Sequence, residues 1–508
     1  MVFGGLFSSE RTVPVFLGAP EAEAESTSQS RVSILDVYED YHGLSPALTT
    51  EQFIIIGRKG SGKSAFAEFV SARAKLMPNL FSQFVRASEF QIEKAIQNIT
   101  AKDSQIDSES FFLWLIYTNI LKLFSHNEAI KEDKSYELLR QFLKKNSGYI
   151  NIKDFEIKGL VEKHGFDVSI EQFKRFFRLK MDRNLEIKSE RASFDKLLPH
   201  LEEVIISALS SEVERSNNNS YSIFFDDLDV WFNASSRESS DSLVSLIRAC
   251  RRVNNTVFGA NGIKAKAIIL LRDDIESYIS NRYADTAKIL ASYSIKINWY
   301  HEDYSGADLE EQLSLKKFIN KRIALAFGKA GKSFSAEDPW TSLVGAVSGE
   351  RSSFKYVVNK TLFRPRDLLL FFKPLESGSF KYPLSKYDIN ALSVSYAREL
   401  AKEVRNELSS FYSSTQVENI FGAISQIAKA KTKYNDALEI IESYCKDVVP
   451  KEVLEDLFSR SIVGSCDNQG RFSFKCREPM GTTTPIKLDK DKLVVVQYGI
   501  RDYVTQKY

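Results

Sequence analysis

Apolar positions along this chain fall into two spacings. Short continuous runs appear as EQFIIIG at 51–57, SQFVRAS at 82–88, YSIFFDDLD at 221–229 and AKAIILLRDD at 265–274. A further run, ASYSIKINWY at 291–300, alternates Tyr293, Ile295, Ile297 and Trp299. Between these runs the apolar residues take helical spacing. SGKSAFAEFVSARAKL follows the first run directly, and SESFFLWLIYTNILKLF at 108–124 is strongly apolar with Ser108 as its cap. Short apolar strands separated by helices predict an α/β fold with a parallel sheet buried on both faces. The stretch from about 90 to 210 is mostly helical and too long for one crossover, so it reads as a helical insertion. After 305 the pattern is helical again, through DLEEQLSLKKFINKRIALAFG and SSFKYVVNKTLFRPRDLLLFFKPL. The last hundred residues predict helices, among them PKEVLEDLFSRS, then a hairpin in IVGSCDNQGRFSFKCRE and a strand in DKLVVVQYGI.

Length turns this list into domains. At 508 residues the chain exceeds one ordinary core. The divisions expected are an N-terminal segment at 1–50 packing on the core, a core at 51–300, a helical lid at 301–375 and a C-terminal helical domain at 376–508. With 69 basic and 67 acidic residues the net charge is +2, so nothing global selects nucleic acid or an anionic membrane. The four cysteines form no CxxC pair and have no nearby histidines at zinc spacing, so reduced thiols are expected. No apolar run is long enough for a membrane helix, and MVFGGLFSSERTVPVF lacks the basic start of a signal peptide. A cytoplasmic protein with no membrane partner is the expectation.

Chemistry enters at the end of the first apolar run. Gly57, Arg58, Lys59, Gly60, Ser61, Gly62, Lys63 and Ser64 fit G-x-x-x-x-G-K-[ST], with Ala65 following in the helix. Glycines let backbone N–H groups converge on phosphate oxygens, and the helix N-terminus adds partial positive charge. Lys63 is expected to reach the β- and γ-phosphates of ATP, and the Ser64 hydroxyl to ligate Mg²⁺. Such a loop needs a second carboxylate element. SIFFDD supplies one, with Asp226 placed for the metal and Asp227 as the base or water-positioning group. The alternative is a capping acid pair at a strand-to-helix turn, and Asp229 fits a role in organising that turn.

Further along, AIILLRDD puts Arg272 and Asp273 at a strand tip, where a polar side chain can sense the γ-phosphate; a solvated strand end is the competing reading. In LFRPRDLLLFF, Pro365 marks a helix start between Arg364 and Arg366. Cations sit poorly at a helix N-terminus, so both need an anionic partner, either Asp367 or a phosphate. Phosphate is the expectation for Arg366 and a local acid for Arg364. Arg282 lies where an arginine finger would in a multimeric ATPase, with Arg248, Arg251 and Arg252 as weaker rivals; an exposed charge is the simpler reading of Arg282.

Taken in order, GRKGSGKS, FFDDLD, ILLRDD and FRPRDLL resemble the additional-strand (ASCE) P-loop ATPases, nearest the AAA+, STAND and KAP branch. With the upstream FLGAPEAEAES, the set is similar to bacterial P-loop ATPases of conflict and anti-phage gene neighbourhoods. The resemblance covers about 15–75 and 220–375. It implies a sheet of strand order 5-1-4-3-2, a helical lid, catalytic roles for Lys63 and Asp227, metal binding by Ser64 and Asp226, and sensing by Arg272, Asp273 and Arg366. Asp227 stands where many relatives carry Glu, and no finger is evident. The C-terminal region resembles the winged-helix modules that follow the lid in STAND and origin-recognition ATPases. From 380 to 508 it holds 19 Lys/Arg and 17 Asp/Glu, a balance that favours protein over phosphate contacts.

Three functions follow as expectations. The first is a Mg²⁺-dependent ATP-hydrolysing switch that forms a homo-oligomer or engages a separately encoded effector, in anti-phage defence. The second is a DNA-binding motor or loader using the winged helix. The third, a small-molecule kinase, lacks an acceptor-base signal.

Overall fold

The structure is a computed structural model and describes residues 14–87, 108–127, 130, 133, 135–147, 167–214, 218–300, 310–378, 380–479 and 486–507. Parts of the expected insertion (88–107 and 148–166), the end of the SQFVRAS strand and the first thirteen residues lie outside these. The described residues form two units, one from His42–Lys59 and Lys63–Ile297, the other from Met1–Tyr41, Gly60–Gly62 and Asn298–Tyr508.

The first unit is built on five parallel strands: β1 (Ile54–Gly57), β2 (Leu80–Arg86), β5 (Ser220–Asp226), β6 (Ala265–Arg272) and β7 (Ser294–Lys296). Their order across the sheet is β2-β5-β6-β1-β7. Numbered among themselves these strands read 5-1-4-3-2 from the β7 edge, the order the resemblance implies. This is an α/β fold with a parallel sheet and surrounding helices, resembling P-loop NTPase architecture. The central strands β1, β5 and β6 are buried almost throughout, which explains continuous apolar runs in place of alternation. Register brings Gly57 level with Arg272, and Arg86 level with Asp226. One edge of the sheet therefore gathers the strand ends that carry the candidate chemistry, where open α/β sheets hold their ligands.

The alternating segment at 291–300 departs from expectation. Helix Ala284–Tyr293 runs into its start, and the strand occupies only Ser294–Lys296. β1 offers only Ile54–Ile56 as partners, so pairing ends there whatever the side-chain pattern. The apolar helix Ser108–Ser125 packs on β2 and β5 and against helices Phe194–Glu214 and Arg237–Arg252. It is buried on nearly all sides, as a helix apolar all round must be. Its polar residues are satisfied within: Gln83 donates to Asn119 Oδ1 at 2.7 Å, and the Tyr117 hydroxyl donates to Glu202 at 2.6 Å. Nearby, β3 (Asp167–Ser169) and β4 (Arg191–Ser193) form a small antiparallel pair.

One sheet contact comes from a side chain. Buried Asn254 donates to the Ala267 carbonyl at 2.8 Å and accepts from its N–H at 2.9 Å. β1 begins opposite Ile269, so the amide of Asn254 stands in for a strand that has not yet started.

In the second unit, helix Pro365–Phe372 packs against the long helix Lys386–Leu408. Helix Ser414–Lys429 is followed by β8 (Thr432–Lys433), helices Tyr434–Tyr444 and Pro450–Ser459, then β9 (Val463–Cys466), β10 (Phe472–Ser473) and β11 (Leu493–Val496). These four strands form an antiparallel sheet of order β10-β9-β11-β8. Phe472 pairs with Cys466 as the hairpin pattern predicts, and the KCR that follows is a 3-10 turn. An N-terminal stretch is held to this unit by the buried pair Arg322–Glu25 at 2.6 Å. Among the described residues the cysteines are free, and no helix is long and apolar enough to cross a membrane.

Candidate nucleotide site

The loop after β1 is shaped by glycine. Gly60 and Gly62 have φ of +76° and +102°, backbone that side-chain-bearing residues rarely adopt. A Cβ on Gly60 would also lie 2.9 Å from Cβ of Arg366. Helix Lys63–Ala74 begins directly at the lysine, so the first N–H groups of the helix face the loop. The Ser61 hydroxyl is buried and has no hydrogen-bond partner among the described residues. Ala65 sits half-buried in the first turn.

Lys63 is 8% exposed and turns back on its own loop, donating to the Gly57 carbonyl at 2.7 Å and the Arg58 carbonyl at 3.0 Å. Burial pushes its pKa down to about 8, against the pull of Asp273, Asp226 and Asp229. The Ser64 hydroxyl lies beside the Asp226 carboxylate and helps to draw its pKa down. Burial, reinforced by the charge of Asp227, pushes Asp226 up to about 6. Asp227 follows the strand with φ +58° and ψ +27°, in the left-handed region, and its N–H donates to Asp226 Oδ1 at 2.9 Å. Non-glycine residues held there store strain, and such strain concentrates at functional sites.

Beyond this cluster lies a second set of ion pairs. Arg272, 6% exposed, donates to Asp229 at 2.8 Å and forks onto Asp274 at 3.0 and 2.5 Å. Lys59 lies 3.7 Å from the same Asp229 oxygen. Burial opposes ionisation of Asp229, but Arg272 and Lys59 outweigh it and hold the carboxyl below its ordinary range. Asp273 begins helix Asp273–Ser280, with Asp274 and Glu276 in the same first turn, where acids suit the helix dipole.

In the second unit, Arg364 is fully committed to protein carboxylates. It bonds Asp367 at 2.7 Å and Glu403 at 3.1 Å, while Asp367 also accepts the N–H groups of Leu362 and Arg364. Phe363, between them, has φ +58°. Arg366 donates its N–H to the Gly60 carbonyl at 3.4 Å; its guanidinium reaches Pro20 O at 3.2 Å, Glu21 at 2.9 Å and Glu403 at 3.3 Å. The finger candidate Arg282 stacks on the Tyr278 ring at 3.7 Å. Arg248 pairs with Asp285 and Arg252 with Glu202, while Arg251 is exposed.

Lys63, Ser64, Asp226, Asp227 and Arg272 are thus brought together at the sheet edge with Lys59 and Asp273. Asp229, expected only to organise a turn, belongs to the same cluster, while Asp274 and the part-buried Arg86–Glu68 pair, which links the end of β2 to the loop's helix, have no counterpart among the sequence expectations. The signal for Asp229 was the third acid of FFDDLD. Among the described residues no group of three His, Cys, Asp or Glu could hold a metal by itself. Two neighbouring oxygen donors, Ser64 and Asp226, suit Mg²⁺, which takes few protein ligands and completes its shell with water and phosphate.

The shift of Asp226 gives a testable sign. Its folded pKa, about 6, lies above the ordinary 3.8, so the folded chain bears a cost that appears as pH rises from about 4 through 6. Asp226→Asn removes that cost. With chelator and no nucleotide, its melting temperature at pH 7.5 is expected to exceed that of the unmodified chain, by up to about 3 kcal/mol in stability. Melts across pH 4 to 8 should show the gap closing toward pH 4; a gap that ignores pH would contradict the burial argument.

Comparison with known proteins adds little to this geometry. Residues 313–405 match the family model FunZ_C, described as the FunZ-associated C-terminal helical domain. No curated protein matches the chain. Among solved structures, the chain is similar to the ORC2 protein of Aeropyrum pernix, determined as ADPNP–ADP complexes. Identity is 12%, coverage is 98% of this chain and 96% of that one, and the TM-score is 0.33. It is similar also to Cdc6p from Pyrobaculum aerophilum, at 12% identity over 93% and 91% of the chains with a TM-score of 0.28. Overlaps this loose carry no weight for the activity of this chain.

Proposed function

We propose that the chain is a Mg²⁺-dependent ATP-binding and ATP-hydrolysing switch. The observation that carries this reading is buried Lys63 folded back on the Gly57 and Arg58 carbonyls, at the carboxyl end of β1 and near Asp226 at the end of β5. Lys63 is desolvated, and among the described residues its hydrogen bonds go to carbonyls of its own loop, which phosphate oxygens can replace. Glycine backbone and the start of helix Lys63–Ala74 add N–H donors. Ser64 and Asp226 would hold Mg²⁺ bound with the nucleotide, and the ion would supply neutralisation of the phosphate charge. Asp227 is the candidate to orient and deprotonate the attacking water, its reach set by the left-handed backbone. Arg272 and Asp273 at the tip of β6, and Arg366, are proposed as sensing groups.

Purified chain with MgATP should release phosphate, and Asp227→Asn tests the assignment. Asparagine tolerates the left-handed conformation, so fold and nucleotide affinity should persist while phosphate release falls by roughly 10²-fold or more. Undiminished release by the variant would remove Asp227 from the mechanism, and no release by the unmodified chain would leave a binding switch at most.

Assembly into an oligomer, or engagement of a separate effector, is the use proposed for the switch. Its setting in anti-phage defence rests only on the likeness of GRKGSGKS and FRPRDLL to conflict-system ATPases. The second reading is a DNA-binding motor or loader. Supporting it is the element order of residues 414–496, helix, strand, two helices and an antiparallel sheet, which suits a winged helix. Against it, helix Pro450–Ser459 carries Glu452, Glu455 and Asp456 with Lys451 as its only base. Steeply salt-dependent duplex binding would favour the motor.

A further inference from the structure

Acids crowd the cations at the sheet edge. Asp226, Asp227, Asp229, Asp273 and Asp274 converge there on Lys59, Lys63 and Arg272. This is an odd field for a site meant to accept a polyphosphate. Asp229 is the acid whose position explains it. It lies in the short helix Leu228–Trp231 after β5, and one of its oxygens takes both Arg272 from β6, at 2.8 Å, and Lys59 from the phosphate loop, at 3.7 Å. The carboxylate thus occupies two cations from separate elements at once, its side chain 20% exposed, while Arg272 is held from its other side by Asp274.

We propose that Asp229 is a counter-ion gate: in the empty chain it neutralises Lys59 and Arg272, and it must yield them for nucleotide phosphate to bind. The inference rests on the nucleotide reading above and adds to it a residue that opposes binding. A carboxylate and a phosphate oxygen offer the same cations similar charge-assisted bonds. The gate therefore lowers affinity for every nucleotide that needs those two cations.

Asp229→Asn keeps the size of the side chain and an oxygen for Arg272 while removing the charge. Affinities of the purified full chain for fluorescent ATP and ADP analogues, with Mg²⁺, measure its effect without relying on hydrolysis. The variant is expected to bind both on the order of tenfold more tightly. In a Lys59→Met background the gain should shrink, because part of what Asp229 restrains is gone. If Asp229→Asn does not fold, Asp229→Ser, with a hydroxyl to accept from Arg272, carries the same test. Binding by the unmodified chain, with equal or weaker binding by the folded variant, overturns the gate alone. Failure of the unmodified chain and the variant alike to bind either analogue overturns the nucleotide reading itself.

Discussion

Lys63→Ala is expected to weaken nucleotide binding by roughly 100-fold and to abolish phosphate release, while leaving the empty chain as stable as before or more so. The two halves have one cause. Lys63 is buried, and burial pushes its pKa down to about 8 even with three carboxylates near it. Its folded value lies below the ordinary 10.5, so the folded chain bears the cost of the ammonium at neutral pH and sheds it only as pH rises past 8. Alanine removes that cost, and a phosphate is what would otherwise compensate it. Binding titrations paired with thermal melts at pH 7 check both halves. Full binding by Lys63→Ala would end the nucleotide reading; a collapsed melt would show that the lysine serves the fold instead.

Arg364→Ala should do the opposite, with a large loss of stability that no ligand is needed to reveal. Arg364 is 2% exposed and Asp367 0%, and their pair is extended by Glu403. Removing the guanidinium strands buried carboxylates, at about 3–5 kcal/mol. In a unit of this size that corresponds to a fall of roughly 6–20 °C in melting temperature. Arg364→Lys should recover only part, since a lysine cannot reproduce the planar fork. Arg366→Ala should cost less, about 1–2 kcal/mol, because its partner Glu21 is largely exposed and Glu403 keeps Arg364 as a partner. Calorimetry of the three variants separates the arginines; equal losses at 364 and 366 would contradict their different burial.

These two residues also show what a linear reading can reach. The loop was legible because its chemistry is local: an apolar strand, glycines where φ must be positive and a lysine opening a helix all sit within a dozen positions. FFDD and LLRDD were legible as strand ends because burial on both faces writes an unbroken apolar run. The need for an anionic partner at Arg364 was likewise readable from the helix dipole. Its full set was not, because Glu403 lies 39 residues away on another helix. Arg272 and Asp229 are 43 residues apart and meet only because β5 and β6 are neighbours, so the strand tip read as a sensor is also one side of an ion pair. The end of β7 was misread for a related reason. Alternation in 291–300 is a property of side chains, whereas the strand's length was set by the few residues of β1 available to pair.

The strand order has a consequence for how the chain comes off the ribosome. β1 ends at Gly57, yet its neighbours β6 and β7 begin at Ala265 and Ser294. At about 5–20 residues per second, β1 waits roughly 10–40 s before β6 has been synthesised. Throughout that interval Phe53, Ile54, Ile55 and Ile56, all buried in the finished fold, have no sheet to join. Nascent chains arrested before residue 265 should therefore hold an unformed phosphate loop and a sticky apolar segment, a natural target for chaperones. The loop is translated early, but it can take shape only after Arg272 has emerged.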